Sequence, residues 1–401
     1  MNRTSIEWTH RPETGGPTGG FTWNPIRARR MVKMCDECKS AINEDGTCPK
    51  CRDSKGQPFV VDMQTIYLEP KVGTFCTRIS PGCTHCYASS INKRFGNGLE
   101  YTVPNLDKVE FFIDEKILEE PLRRKKPATI FVGDMFDLFH EAIDYELQDQ
   151  VFAVAAVCKQ HTFQFLTKRA ARMLEYFSNL QNDDKDLHRW ADYACEITDS
   201  PCASGLIEDL DWPVPNIWLG TSVESQKYAD ERIPLLLQTP AAVRFLSVEP
   251  MLEAITLDEC AHYVLNGDES NPGVINAFNA KCYHPHTVKF APEAEGNANG
   301  ISWVICGGES GPGARPFNLA WAESLLEQCR AAGVPFFMKQ VGSAPLIPKA
   351  MELNARGEFL TETTCGDPAK LLVNSKGGDP SEWPEHLRVR QFPRAEKSVT
   401  A

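Results

Sequence analysis

From residue 127 onward the hydrophobic positions come in short solid runs rather than one by one. The runs occupy 129–134, 162–168, 216–224, 243–249, 301–309 and 334–340, and each ends in polar or charged residues. Apolar runs without internal alternation suit strands buried on both faces. The stretches between them, such as 146–159 and 321–332, place apolar residues at helical spacing among good helix formers. Strands alternating with helices make a parallel sheet. Six such units, with a further strand leading into a cysteine-rich loop, predict an α/β fold, a partial or complete TIM-like (β/α) barrel. Barrels of this kind gather their chemistry at the C-terminal ends of the strands. Here those ends carry Asp134, Lys168, Arg169, Glu224, Glu249, Glu309 and Lys339.

Two gaps interrupt the repeat and are expected to be insertions. Residues 178–213 are polar, with Asp183, Asp184 and Asp186 close together, and 260–300 carry Cys260, His262, Cys282, His284 and His286. The second gap could ligate a metal, but it lacks a tight second ligand pair. The organisation expected is an N-terminal segment, 1–25, joining the barrel, whose Trp8 and Trp23 cover the core. An inserted four-cysteine module, 26–75, comes next, then the barrel, 76–343, and a tail, 344–401, laid over it.

Composition changes this picture little. With 42% hydrophobic and 24% charged residues the chain reads as an ordinary globular protein able to bury a large core. The polar, Gly-rich start predicts neither a signal peptide nor a membrane anchor. Of fifteen cysteines, seven sit at ligand-like spacing that oxidative pairing would destroy, so a reducing cytoplasm is expected. A net charge of −12 argues against whole-surface attraction to nucleic acid. It leaves room for a local groove at Arg27, Arg29, Arg30 and Lys33, or at Arg123, Arg124, Lys125 and Lys126.

The cysteines carry the chemistry. Cys35-x2-Cys38 and Cys48-x2-Cys51 form two knuckles, each donating two thiolates, and together they complete a tetrahedron for Zn2+. A single rubredoxin-like iron or a redox pair are the alternatives. Cys76, Cys83 and Cys86 lie within eleven residues, with Pro81-Gly82 forcing a turn between the first and the other two. Three thiolates without an obvious fourth suit a 4Fe-4S cluster with one iron open to another ligand, as in radical S-adenosylmethionine enzymes. The alternative is three redox-inert cysteines that happen to be close.

The segment from Ser80 to Ala88, SPGCTHCYA, follows a Trp23-Asn24-Pro25 and precedes Asp134-Met-Phe-Asp137, Leu166-Thr-Lys-Arg169, Gly220-Thr-Ser-Val-Glu224, Phe245-Leu-Ser-Val-Glu-Pro250, Gly307-Gly-Glu-Ser-Gly311, Lys339-Gln340 and Trp383-Pro384. In these motifs and their order the chain resembles an uncharacterised, largely phage-associated radical-SAM-like family with a WNP and SPGCxxCYA signature, distantly similar to spore photoproduct lyase. The resemblance implies a radical SAM type barrel in which Cys76, Cys83 and Cys86 hold a 4Fe-4S cluster and the open iron binds S-adenosyl-L-methionine. It also implies a reducing electron donor, a bacterial host cytoplasm, and modification or repair of a nucleic acid or nucleotide, with the zinc module gripping a phosphate chain.

Under that reading Gly133, Asp134, Glu224, Gly307, Gly308 and Glu309 are expected at the cofactor, and Asp134, Asp137, Lys168, Arg169, Glu249 and Lys339 are the catalytic candidates. Glu309 ranks first for the cofactor's ammonium group, because two glycines let the backbone approach closely. The chain departs from the pattern in three ways. Its cysteine spacing is C-x6-C-x2-C rather than C-x3-C-x2-C, its four-cysteine segment is inserted between Pro25 and Cys76 where the family usually places the first cluster cysteine just after Trp-Asn-Pro, and its Gly-Gly-Glu sits on a late strand, with Gly133-Asp134 at the usual second-strand place. The alternative function is a non-catalytic zinc and iron–sulfur module that recognises nucleic acid or a partner protein.

Overall fold

The computed structural model describes residues 1–4, 6–10, 20–35, 38–43, 45, 47–52, 55–60, 66–182, 184–200, 202–208, 210–262, 273–280, 282–283, 300–346 and 372–393. Each apolar run is a strand of one eight-stranded sheet. Its strands are β1 (Asn2–Arg3), β2 (Phe21–Trp23), β3 (Thr129–Val132), β4 (Thr162–Thr167), β5 (Ile217–Ser222), β6 (Val243–Val248), β7 (Trp303–Gly307) and β8 (Phe336–Gln340). They lie side by side in chain order. All neighbours are parallel except β1 and β2. The fold is therefore mixed α/β around a mostly parallel sheet, as the block pattern requires.

Both faces of the sheet are apolar, but they are covered differently. Ile130, Phe163, Phe165, Leu219, Leu246, Val304 and Met338 face a large core shared with the helices Tyr145–Val157, Ala170–Asn182, Gln226–Gln238 and Leu319–Ala332. The last of these starts at the Asn318 side chain, which accepts from Ala320 N, and ends at Gly333 with φ +68°. The opposite face carries Phe131, Trp218, Phe245, Trp303, Ile305 and Phe337, gathered around Trp8. Gly220 makes room there, since a Cβ would stand 2.6 Å from the Phe245 ring.

The geometry of Trp8 shows that the sheet curls. Its ring lies 4.6 Å from Phe131 on β3 and 6.2 Å from Trp303 on β7. A flat sheet would hold strands four places apart about 19 Å from one another, beyond the reach of one indole. No hydrogen-bonded pairing joins β8 to β1 among the described residues.

Several expectations need adjusting. The strand leading into the cysteine loop, Ile66–Gly73, is not in the central sheet but pairs with Ile26–Cys35, which also pairs with Glu110–Ile113. Its apolar residues are interrupted by Glu69, Pro70 and Lys71, and Pro70 suits an edge strand of this small sheet, where Leu68 and Val72 are exposed. The central sheet also contains β1 and β2 from the N-terminal segment, 1–25. The 178–213 gap holds the helices Asp184–Thr198 and Cys202–Glu208, with Trp190 stacked on Phe152. In the 260–300 gap, Cys260–His262, Gly273–Ile275 and Cys282–Tyr283 form a small antiparallel sheet. His284 and His286 lie outside the described residues. Within the C-terminal segment, Trp383 and Leu387 are buried in the main core. No helix is long and apolar enough to cross a membrane among the described residues.

Candidate metal and cofactor centre

The cysteine loop runs from the end of the ribbon to the helix Tyr87–Phe95. Pro81–Cys83 form a tight turn, with Cys83 N donating to Ser80 O, and Cys86 stands at the helix start. The base of the loop is pinned by the buried Asn92, whose Oδ1 accepts from Thr74 N and whose Nδ2 donates to Asn97 Oδ1 at 2.7 Å and Leu99 O at 2.9 Å. The loop then lies across the C-terminal ends of the central strands. There Cys76, Cys83 and Cys86 border a cavity of about 650 Å³.

The same cavity is bordered by Gly133, Asp134 and Asp137 after β3, by Lys168 and Arg169 after β4, by Ser222 and Ser247 ending β5 and β6, and by Glu249. Gly308, Glu309, Lys339 and Gln340 close it from β7 and β8. Of the candidate residues on the strand ends, Gly307 and Glu224 do not border it. Glu224 is fully buried beneath the loop, where its carboxylate accepts from Arg232 Nη1 at 3.0 Å and from Gly82 N at 3.3 Å. Its position makes it a brace for the turn between Cys76 and Cys83. Gly82 fits that brace closely, since a Cβ would meet Glu224 Oε1 at 3.1 Å.

Arg169 is the main positive charge beside the cysteines. Its Nη1 donates to Cys76 Sγ at 3.6 Å and to Asp137 Oδ2 at 3.0 Å, its Nη2 to Thr77, and its Nε to Glu141. Asp137 is spent on this task, because it also accepts from Thr167 Oγ1 and the Lys168 and Phe139 amides. Burial pushes the Cys76 thiol up to about 12, and the Arg169 charge pulls the other way. Glu249 is bound by Lys339 Nζ at 2.7 Å and by Gln340 Nε2. Asp134 accepts from Asn24 Nδ2, and burial raises its carboxyl above the usual range. Lys168 Nζ has no hydrogen-bond or ion-pair partner among the described residues.

Glu309 borders the cavity with both oxygens engaged. Arg315 donates to it from Nε at 3.0 Å, from Nη2 at 2.7 Å and from its backbone N, and His85 Nδ1 lies 3.0 Å away. Burial alone would raise its carboxyl, but these hydrogen bonds outweigh it and hold the group at about 2. Arg315 also donates to Pro81 O, so the pair ties the Gly-Gly-Glu loop to the cysteine loop. Sequence reasoning missed Arg315, His85, Ser222 and Ser247. His85 had a signal, its place inside Cys83-Thr-His-Cys86; the two serines had one in the strand ends Thr-Ser and Leu-Ser. Arg315 had none, since the turn that returns it to Glu309 is built by 310–314.

The four-cysteine set is a separate centre at the far end of the ribbon. Among the described residues, Cys35, Cys38, Cys48 and Cys51 are the one group whose ligand atoms all lie within 4.8 Å of each other. Sulfurs are 3.8 Å apart for Cys35 and Cys51 and 3.3 Å for Cys38 and Cys48. Four thiolates tetrahedral at about 2.3 Å from one Zn2+ would stand about 3.8 Å apart, so the set could bind a metal such as zinc. Hydrogen bonds from Ser40 and Cys48 hold the Cys38 thiol down to about 6. The sulfurs of Cys76, Cys83 and Cys86 do not form such a group, since they do not all lie within 4.8 Å of one another.

The chain belongs to the family described as Protein of unknown function (DUF5131), matched over residues 64–366. The matched span contains the cysteine loop and all the strand-end residues named above, whereas the four-cysteine set precedes it. No curated protein matches the chain, and no solved structure does.

Proposed function

We propose that this chain is an iron–sulfur, S-adenosylmethionine-dependent radical enzyme of the phage-associated family it resembles in sequence, working in a bacterial cytoplasm with a reducing electron donor. One observation carries the reading: three cysteines that no further protein ligand completes among the described residues border the same cavity as charged residues from five strand ends. Cys76, Cys83 and Cys86 would hold three irons and leave the fourth facing the cavity. When bound, the reduced cluster supplies the electron that splits S-adenosylmethionine into methionine and a 5′-deoxyadenosyl radical.

The chain's own residues prepare that site. Arg169 favours the thiolate form of Cys76, while Glu224 and the Glu309–Arg315 pair fix the loop from below and from the side. The aromatic floor around Trp8 and Phe131 keeps bulk water from beneath the cavity. Lys168 and Asp134, with hydrogen-bonding capacity left, are the groups best able to hold the charged ends of a cofactor or substrate. Zn2+ at the four-cysteine set would be structural. A nucleic acid or nucleotide is the substrate class that the reading favours.

The test is anaerobic. Protein reconstituted with iron and sulfide and reduced with dithionite should convert S-adenosylmethionine to 5′-deoxyadenosine, and the variant with Cys76, Cys83 and Cys86 all changed to Ala should form none. A fully loaded, reducible protein that forms no 5′-deoxyadenosine would rule the enzyme out and leave the binding-module reading.

A further inference from the structure

The helix Tyr87–Phe95, which leaves the cysteine loop, is turned inside out. A surface helix normally buries its apolar stripe. Here Ala88, Ser89 and Asn92 are buried, while Tyr87, Ile91 and Phe95, spaced four apart on one face, are exposed. Phe95 is 73% exposed, and Ile79 and Val103 are also large, apolar and exposed. The stripe is continuous with the site, because Tyr87 and Ile91 border the cavity.

The charge around it is one-sided. Residues 70–99 hold Lys71, Arg78, Lys93 and Arg94 and no Asp or Glu, in a chain of net charge −12. Lys93 is paired with Glu100. Arg78 and Arg94 are exposed, and the Arg94 guanidinium lies over the Phe95 ring, 4.8 Å from its centroid. The neighbouring strand Ile26–Cys35 carries Arg27, Arg29, Arg30 and Lys33 and no acidic residue of its own, with Arg29 paired to Glu110 on the adjacent strand.

Exposed rings and basic side chains running from a cavity mouth are what an unpaired nucleic-acid strand requires. Its bases have faces to stack on the rings, and its phosphates seek local positive potential in an otherwise acidic protein. A duplex keeps its bases stacked on each other and offers no such faces. We propose that the face made by Tyr87, Ile91 and Phe95 with Arg78 and Arg94 binds single-stranded nucleic acid and leads one base into the cavity. The inference rests on the enzyme reading only for what the bound strand is for.

Binding can be read apart from turnover. The full chain, loaded with zinc, iron and sulfide, would be titrated against fluorescein-labelled 15-nucleotide single strands of DNA and of RNA, and against the DNA duplex, by fluorescence anisotropy. Saturable binding of a single strand is expected, tighter than of the duplex and falling steeply with salt. The DNA and RNA arms show which sugar is accepted. Phe95→Ala should weaken binding roughly tenfold, the scale of one lost base stack, and Arg94→Glu should weaken it too, both with unchanged melting. Unaltered affinity in both variants, a preference for duplex, or no single-strand binding at low salt would overturn the proposal. A protein complex abolished by Phe95→Ala, with no oligonucleotide bound, would overturn it in favour of a protein partner. Strand binding without 5′-deoxyadenosine formation would sink the enzyme reading alone; the reverse would sink this inference alone.

Discussion

Arg315 and Glu309 show what a single ion pair does at this site. The pair joins two loops 224 residues apart through His85 and Pro81, so Glu309 acts on the cysteines through the loop they occupy. Its carboxyl is held at about 2, below its ordinary value of 4.5. A depressed carboxylate stabilises the fold fully above the unfolded value, and the contribution is lost as pH falls from about 4.5 toward 2. Glu309→Gln should therefore lower stability at neutral pH by at most about 3 kcal/mol, an amount that shrinks below pH 4.5. Denaturant melts of both proteins across that range check it. A gap that is constant down to pH 3 would show that the charge is not what matters. If Cys76, Cys83 and Cys86 hold the proposed cluster, the variant, with its loop loosened, should also lose iron to a chelator faster. The rim charges were legible in the sequence because each ends an apolar run. Their pairings were not, since Glu249 with Lys339 reaches across the intervening β7 and Arg169 with Cys76 joins a strand end to the cysteine loop, contacts that only the assembled fold creates.

Elements differ in how plainly the chain announces them. Five-residue runs such as Trp303–Gly307, apolar on both faces, identify themselves. Phe21–Trp23 is too short to do so and is a sheet strand only because β3 lies beside it. The ribbon Ile26–Cys35 with Ile66–Gly73 was hidden for another reason: its pairing spans a polar insertion, and we expect its order to depend on metal held by the sulfurs at its end. That dependence is testable. Cys48→Ala, or zinc removal by chelation, should disorder the tip around Cys35–Cys51 while the central sheet, which has its own core, keeps its cooperative melt. Hydrogen exchange should show protection lost in the ribbon tip and retained in β3 to β8. Collapse of the main transition in Cys48→Ala would show that the ribbon is part of the domain's core.

At the scale of the whole molecule, the order of strands matters more than any one of them. Eight strands in chain order curl in one direction, and the concave face must be filled by large side chains or left wet. Trp8 fills it, although it belongs to no strand: the short turn Glu7–Thr9 carries it to the rings of Phe131, Phe245 and Trp303. Its place in the core was expected from its type, but its position inside the curl was not, because nothing in residues 1–25 says which face they will cover. If Trp8 bridges β3 and β7, deleting it removes packing from both sides of the curl at once. Trp8→Ala should then cost about 3–5 kcal/mol, the scale of a large aromatic removed from a tight core, whereas an indole resting on an open surface would cost under about 1 kcal/mol. Urea unfolding should show a lower midpoint with an unchanged slope, since the same surface is exposed on unfolding. Trp8→Phe, which keeps a ring in the gap, should recover part of the loss. A midpoint unmoved in Trp8→Ala would mean that the concave face holds together without its plug, and that the sheet is flatter in solution than these contacts require.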